Sequence, residues 1–302
     1  MAGHANSLKS IFFALGANLA IFVAKLGAAL YTGSGAMLAE AVHSLADSGN
    51  QLLLIVGLRG AKRPPNDKHP LGYGKTIYFW SFIVALILFS MGGMFSVYEG
   101  IHKLQHPEPL TAPWLAIGVL VFSIIAEAVS LWACLREVNK IRGNRSLFVW
   151  FQESRESELL VVFGEDLAAL LGLSFALLAV GLAMLTGNPL FDALGSIVIG
   201  LLLIIIALMI GMQVKRLLIG QGVDPATYQA ITCFLEGQEE IKTVFKLITL
   251  QLGSDVMVAV KAEMQEFQNQ REMIEAINRC EQRLKQSFPQ IVWSFFEPDL
   301  RD

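Results

Sequence analysis

The segment GAMLAEAVHSLADSGNQ, Gly35 to Gln51, limits what this chain can become more than any other stretch. It lies in an apolar run of membrane-spanning length, yet it carries Glu40, His43 and Asp47. An ionisable group inside a bilayer costs about 3 kcal/mol or more, so such residues face a protein interior and mark a pathway. Residues three or four apart share one face of a helix. Glu40, His43, Asp47 and Gln51 therefore form a single polar stripe on an otherwise apolar rod. His43 and Asp47, four apart, have the spacing to hold one metal ion together. The same stripe also reads as a polar packing seam between helices.

The rest of the chain has the composition that such a rod requires. Of its 302 residues 54% are hydrophobic, too many for an ordinary soluble domain. Apolar segments of roughly 20 residues read as membrane spans. Six occur, at about Ile11–Thr32, Gly35–Leu58, Ile77–Gly100, Trp114–Cys134, Leu159–Leu185 and Pro189–Met212. Thr32-Gly33-Ser34-Gly35 and Thr186-Gly187-Asn188-Pro189 are tight, uncharged turns between them. The opening MAGHANSLKS lacks the charged region and cleavage site of a signal peptide, so the first span is expected to be retained.

Loop charge sets the expected orientation. Lys62, Arg63, Lys68, Lys75, Arg136, Lys140, Arg142, Arg145, Arg155, Lys215 and Arg216 fall on one side, and Lys103 alone on the other. The basic side is the cytoplasm by the positive-inside rule, which puts both termini there. The setting expected is a bacterial cytoplasmic (inner) membrane, with the chain passing through it several times. A net charge of −3 gives no basic surface for nucleic acid. Cys134, Cys233 and Cys280 have no C-x-x-C spacing, and so imply neither a disulfide framework nor a thiolate zinc site.

From Gln221 the composition turns soluble. Asp224-Pro225 opens a helix, with Asp as cap and Pro at its first position. Val244–Gln251 and Val256–Glu263 read as strands joined by Gly253-Ser254, Arg271–Ser287 as an amphipathic helix and Ile291–Phe296 as a last strand. The expected fold is a membrane all-α domain of six transmembrane helices, residues 1–220, followed by a small α+β cytoplasmic domain, residues 221–302. The second has the order αββαβ, ferredoxin-like, and is small enough to gain from dimerisation.

Further acids lie within spans. The fifth carries adjacent Glu165 and Asp166 in VVFGEDLAALLG, and the fourth carries Glu127 in SIIAEAVSLW. Neighbours on a helix diverge by about 100°, so one of the adjacent pair faces a given partner. With Lys25 as the one basic residue within a span, this is uncompensated negative charge, which a bound cation or paired protons would neutralise. One imidazole with two or three carboxylates suits zinc, while iron, cobalt, nickel and cadmium also accept such a set.

These residues carry a resemblance. The H-S-L-A-D of the second span, the loop H-P-L-G-Y-G-K, six spans and an αββαβ tail resemble the cation diffusion facilitator family over essentially the whole chain. GEDLAALLG and LTGNPLFDALGS are most similar to its zinc transporter 9 branch. The resemblance implies a homodimeric antiporter that exports divalent metal, zinc above all, in exchange for protons, with its transport site between the second and fifth helices. It assigns His43, Asp47 and Asp166 as metal ligands. Many members carry a His or Asp four residues before the last of these; Val162 stands there in this chain, leaving Glu127, Glu165 or water as fourth ligand.

Some members bind a second ion in the loop with Asp and two His; here Asp67 and His69 are followed by Tyr73, and a solvated loop is expected. The run that often ends the last strand as His-x-Asp-Pro reads Phe295-Phe296-Glu297-Pro298, and no histidine follows His106. A dimerising tail without a zinc centre is therefore expected, with Trp293, Phe295 and Phe296 giving it a surface to pair. No cofactor other than the transported zinc is expected, nor enzymatic activity: neither H-E-x-x-H nor a serine elbow occurs. The competing functions are a membrane metal-binding or sensing scaffold that does not transport, and a metal-dependent intramembrane enzyme.

Overall fold

The computed structural model describes residues 3–107 and 109–301, with the side chains of residues 3–17 outside that description. The chain forms long helices first and a small sheet last. The helices are α1 (Gly3–Thr32), α2 (Gly35–Ala61), a rod made of α3 (Thr76–Ile87), a π-helical turn (Leu88–Met94) and α4 (Phe95–Gln105), then α5 (Pro113–Arg142). A short α6 (Leu147–Glu153) precedes α7 (Ser157–Thr186) and α8 (Leu190–Ile219). Four rods are long and apolar enough to cross a membrane: Thr76–Gln105, Pro113–Arg142, Ser157–Thr186 and Leu190–Ile219. The described side chains of α1 form a shorter apolar stretch, Asn18–Thr32. In α2 the length is sufficient, at 27 residues, but Glu40, His43, Asp47, Asn50 and Gln51 dilute its apolar character.

Two compact units emerge. One comprises the segments ending at Val56, from Trp80 to Arg145 and from Glu158 to Gln213. The other comprises Gly57–Phe79, Ser146–Ser157 and the chain from Val214 onward.

Local chemistry in the first unit explains where its helices begin. Gly33 adopts φ +69, which ends α1, and the Ser34 hydroxyl accepts from Met37 N at 3.2 Å to cap α2. Asp192, in the first turn of α8, accepts from Ser34 Oγ at 2.5 Å and from Gly35 N at 2.7 Å. One carboxylate thus serves its own helix dipole and the start of α2. Among the described residues the π turn is the one departure from regular helix within a span, and it contains Gly92-Gly93. A Cβ on Gly93 would lie 3.2 Å from Gly200 O of α8, so small residues let these two backbones approach closely. The fourth rod continues to Arg142, beyond the expected end at Cys134, and the charged loop that follows contains α6, capped by Ser146.

In the second unit, Asp224 caps α9 (Pro225–Glu236), accepting from Thr227 N at 3.3 Å, with Pro225 at the first position as expected. Strands β1 (Ile241–Leu252) and β2 (Asp255–Met264) pair antiparallel around Gly253 at φ +72. Helix α10 (Gln270–Ser287) then carries the chain to β3 (Ile291–Pro298), which pairs parallel to β2 in the sheet order β1-β2-β3. Asn269 caps α10 by accepting from Glu272 N, and the Glu272 side chain accepts from Gln268 N just before the helix. Val256, Val258, Val260 and Ala262 alternate inward from β2 against Ile231, Leu235, Cys280 and Leu284, which makes the core. Phe296 also packs on this core, whereas Phe295 is half exposed. Of the aromatics expected to face a partner, Phe296 thus points mainly into its own domain.

Candidate metal centre

The polar stripe of α2 is turned inward. Glu40 and His43 have no exposed surface, and Asp47 retains 16% of its side-chain surface. His43 Nε2 lies 3.6 Å from Asp47 Oδ2, as the four-residue spacing requires. Beside Asp47 opens a cavity of about 40 Å³, lined by Asn18, Ser44, Gln51, Ser130 and Val162 and by the acids Asp47, Glu127, Glu165 and Asp166. That volume admits a single ion with a water or two, not bulk solvent.

Three helices contribute the acids. Glu165 of α7 accepts from Asn50 Nδ2 of α2 at 2.5 Å, and Asp166 accepts from Ser130 Oγ of α5 at 3.1 Å. Adjacent on α7, the two acids diverge onto different partners but both reach the cavity. Glu127 stands one turn before Ser130 on α5. Four carboxyl groups around so small a space cannot all be ionised unless a cation joins them or protons neutralise some.

His43 sits behind the wall of this cavity and does not line it. Neither of its ring nitrogens has a hydrogen-bond partner, nor does Asp47 Oδ1. Its Nδ1 instead lies 3.7 Å from the point where a side chain on Gly92, in the π turn, would begin. Buried imidazole nitrogens without a protein partner are rare, and the usual partners in such places are an ordered water or an ion. As the side chains stand, no three His, Cys, Asp or Glu among the described residues are gathered closely enough to hold a metal ion. The arrangement is an acid cavity with an imidazole one turn away on α2.

A second polar cluster adjoins the first. The Lys25 ammonium of α1 is fully buried, 3.4 Å from Glu40 Oε2 and donating to Ser44 Oγ at 2.7 Å. Lys25 thus turns into the protein, the inward one of the two positions open to it, and stands behind Ser44 in the cavity wall. Sequence reasoning did not foresee Ser44, Ser130 or the π turn; the Gly92-Gly93 pair inside an apolar span was the available signal for the last. The loop residues Asp67 and His69 are exposed, and the His69 ring lies on Tyr73 with centroids 4.2 Å apart. Val162 faces the cavity with an apolar side chain.

Long apolar helices that converge several acids on an internal cavity, with a histidine beside it, define a multi-pass membrane protein with uncompensated negative charge at its centre. Residues 11–219 match the cation efflux transmembrane domain. The chain is 35% identical over 258 residues to a Xenopus laevis protein named proton-coupled zinc antiporter SLC30A9, mitochondrial, covering 85% of this chain and 46% of that one. The human protein of the same name is 34% identical over 240 residues, covering 78% and 42%. Metal tolerance protein C4 of Arabidopsis thaliana is 30% identical over 244 residues, covering 80% and 53%. This chain therefore spans about half the length of these relatives. It belongs to the cation efflux, or cation diffusion facilitator, family, and within it is similar to the zinc transporter 9 branch. Membership classes it with transporters rather than enzymes.

Proposed function

We propose that this protein exports zinc from the cytoplasm in exchange for protons, by alternating access around the cavity of Asp47, Glu127, Glu165 and Asp166. The observation that carries the reading is the convergence of acids from α2, α5 and α7 on one small cavity, with the unpartnered His43 beside Asp47. The zinc antiporter names of the frog and human relatives support the same ion and the same coupling.

The proposed ligands are His43, Asp47 and Asp166, with Glu127 or Glu165 supplying the oxygen that Val162 cannot. Glu165 is engaged by Asn50, which leaves Glu127 the freer of the two. Ligation requires a neutral imidazole and ionised carboxylates, so metal entry releases protons. When the cavity opens outward, protons from that side compete the metal off, and the gradient gives the cycle its direction. Lys25 offsets part of the negative charge when no metal is bound.

The proposed setting is a bacterial cytoplasmic membrane with both termini on the cytoplasmic side, where the basic loops lie; the frog and human relatives are named mitochondrial. The sheet domain pairs two copies of the chain, Phe295 and Ile248 being among its half-exposed apolar residues. A metal-binding scaffold without transport is the second reading, which Val162 favours. Zinc flux into liposomes under a pH gradient decides between them. Wild type should accumulate zinc and Asp47→Ala should reduce flux to background; flux near wild type in that variant would remove Asp47 from the site, and no flux from either protein would favour the scaffold.

A further inference from the structure

Two histidines that take no part in the cavity stand together elsewhere. His102 lies in the last turn of α4 and His106 is that helix's C-cap residue, four positions on. The His106 backbone N–H donates to His102 O at 3.0 Å, which closes the turn and fixes the spacing of the two side chains. Both residues are exposed, and their ring centroids are 5.3 Å apart with planes inclined by 54°. The Tyr98 ring lies alongside His102, with centroids 6.3 Å apart and planes at 19°, flanking it on the helix side.

That separation matches what a shared ion demands. Zinc bound at about 2.0–2.1 Å from an imidazole nitrogen stands roughly 3.2 Å from the ring centre. Two such rings at a tetrahedral angle have centres about 5.2 Å apart. The pair therefore needs ring rotation and no backbone movement to chelate one ion. Glu99, three residues before His102, shares this face of the helix by spacing. Yet among the described residues no group of three His, Cys, Asp or Glu stands ready to hold a metal. Water would fill the remaining positions, which makes the site weak and its ion quick to exchange.

We propose that His102 and His106 form a low-affinity site for zinc or a similar borderline divalent ion, distinct from the Asp47 cavity. It lies at the end of the helical rod that bears Lys103, the side the loop charges assign to the exterior. On the export reading above, on which this role rests, the site receives metal as it leaves the protein and holds it away from the cavity acids. The binding itself does not depend on that reading.

The test uses the full chain purified in detergent, titrated calorimetrically with zinc alone and followed with cobalt alone by absorption. The Asp47→Ala variant removes a cavity ligand and isolates the second site. That variant should retain about one weak equivalent, and Asp47→Ala/His102→Ala/His106→Ala should bind it at least tenfold more weakly. Cobalt should show nitrogen-ligated bands in the first variant that vanish in the second. Superimposable isotherms and spectra, or no binding to Asp47→Ala at all, would overturn the proposal. Failure of the export reading would appear instead as no zinc flux into wild-type liposomes under a pH gradient, so the two failures are separable.

Discussion

Replacing Lys25 by methionine should destabilise the protein far more than deleting a surface charge would. The ammonium and the Glu40 carboxylate are both fully buried and 3.4 Å apart. At that separation, with an effective dielectric constant of about 20, their attraction is about 5 kcal/mol. Removing one partner of a buried pair typically costs about 3–5 kcal/mol, because the other is left as an uncompensated buried charge. The cost here should fall toward the upper part of that range. Glu40 Oε1 already lacks a partner and Ser44 Oγ would lose its donor. Glu40→Gln should be similarly costly, since it leaves the buried ammonium without its countercharge. The double variant Lys25→Met/Glu40→Gln removes both charges, and should recover about 2 kcal/mol or more relative to the sum of the singles. The assay is reversible denaturation of the four proteins in bicelles, analysed as a double-mutant cycle. Additivity within about 0.5 kcal/mol would refute the pairing, because independent sites add to that precision.

Two further outcomes follow from the packing and from the sheet domain. Gly200→Ala would place a methyl carbon 2.7 Å from Gly93 O and Val97 N, backbone atoms that cannot step aside, so the π-containing rod and α8 must separate. The expected loss is about 1–3 kcal/mol, read as a lowered unfolding midpoint, and an unchanged midpoint would show the approach to be looser than described. In the sheet domain, burial alone would raise the Glu240 pKa, but its own backbone N–H and the Arg283 guanidinium, 2.5 Å away, outweigh that and hold it below the usual carboxylate range. A depressed folded-state pKa contributes stability above the unfolded value of about 4.3 and loses it as pH falls through the folded one. The thermal midpoint of wild type should therefore drop more steeply below about pH 4 than that of Arg283→Met, and parallel curves would rule the interaction out.

The spans were legible because lipid imposes a simple rule: about 20 apolar residues must follow one another, whatever they pack against. The sheet domain was legible for an equally local reason. Asp224-Pro225, Gly253 and the period-two alternation of Val256, Val258 and Val260 specify a cap, a turn and an inward face without reference to distant residues. The helix in the loop, α6, was missed because seven residues between two charged stretches give too short a period to read.

Sequence alone also fixed which side chains had to be explained: Glu40, His43, Asp47, Glu127, Glu165 and Asp166 are ionisable groups where lipid tolerates none without a reason. Tertiary structure decided which of them meet. Helical spacing puts Glu40, His43 and Asp47 on one face, but only the packing of α2 against its neighbours sends Asp47 to the cavity, His43 behind its wall and Glu40 to Lys25. The adjacent pair Glu165 and Asp166 could not be apportioned from sequence, since a 100° step says only that they differ in direction; Asn50 and Ser130, from two other helices, settle their partners. Likewise the tight approach at Gly93 and Gly200 joins residues more than a hundred positions apart. Spacing along one helix is a property of the covalent chain, whereas the meeting of side chains from separate helices depends on how those helices cross, which no local pattern encodes.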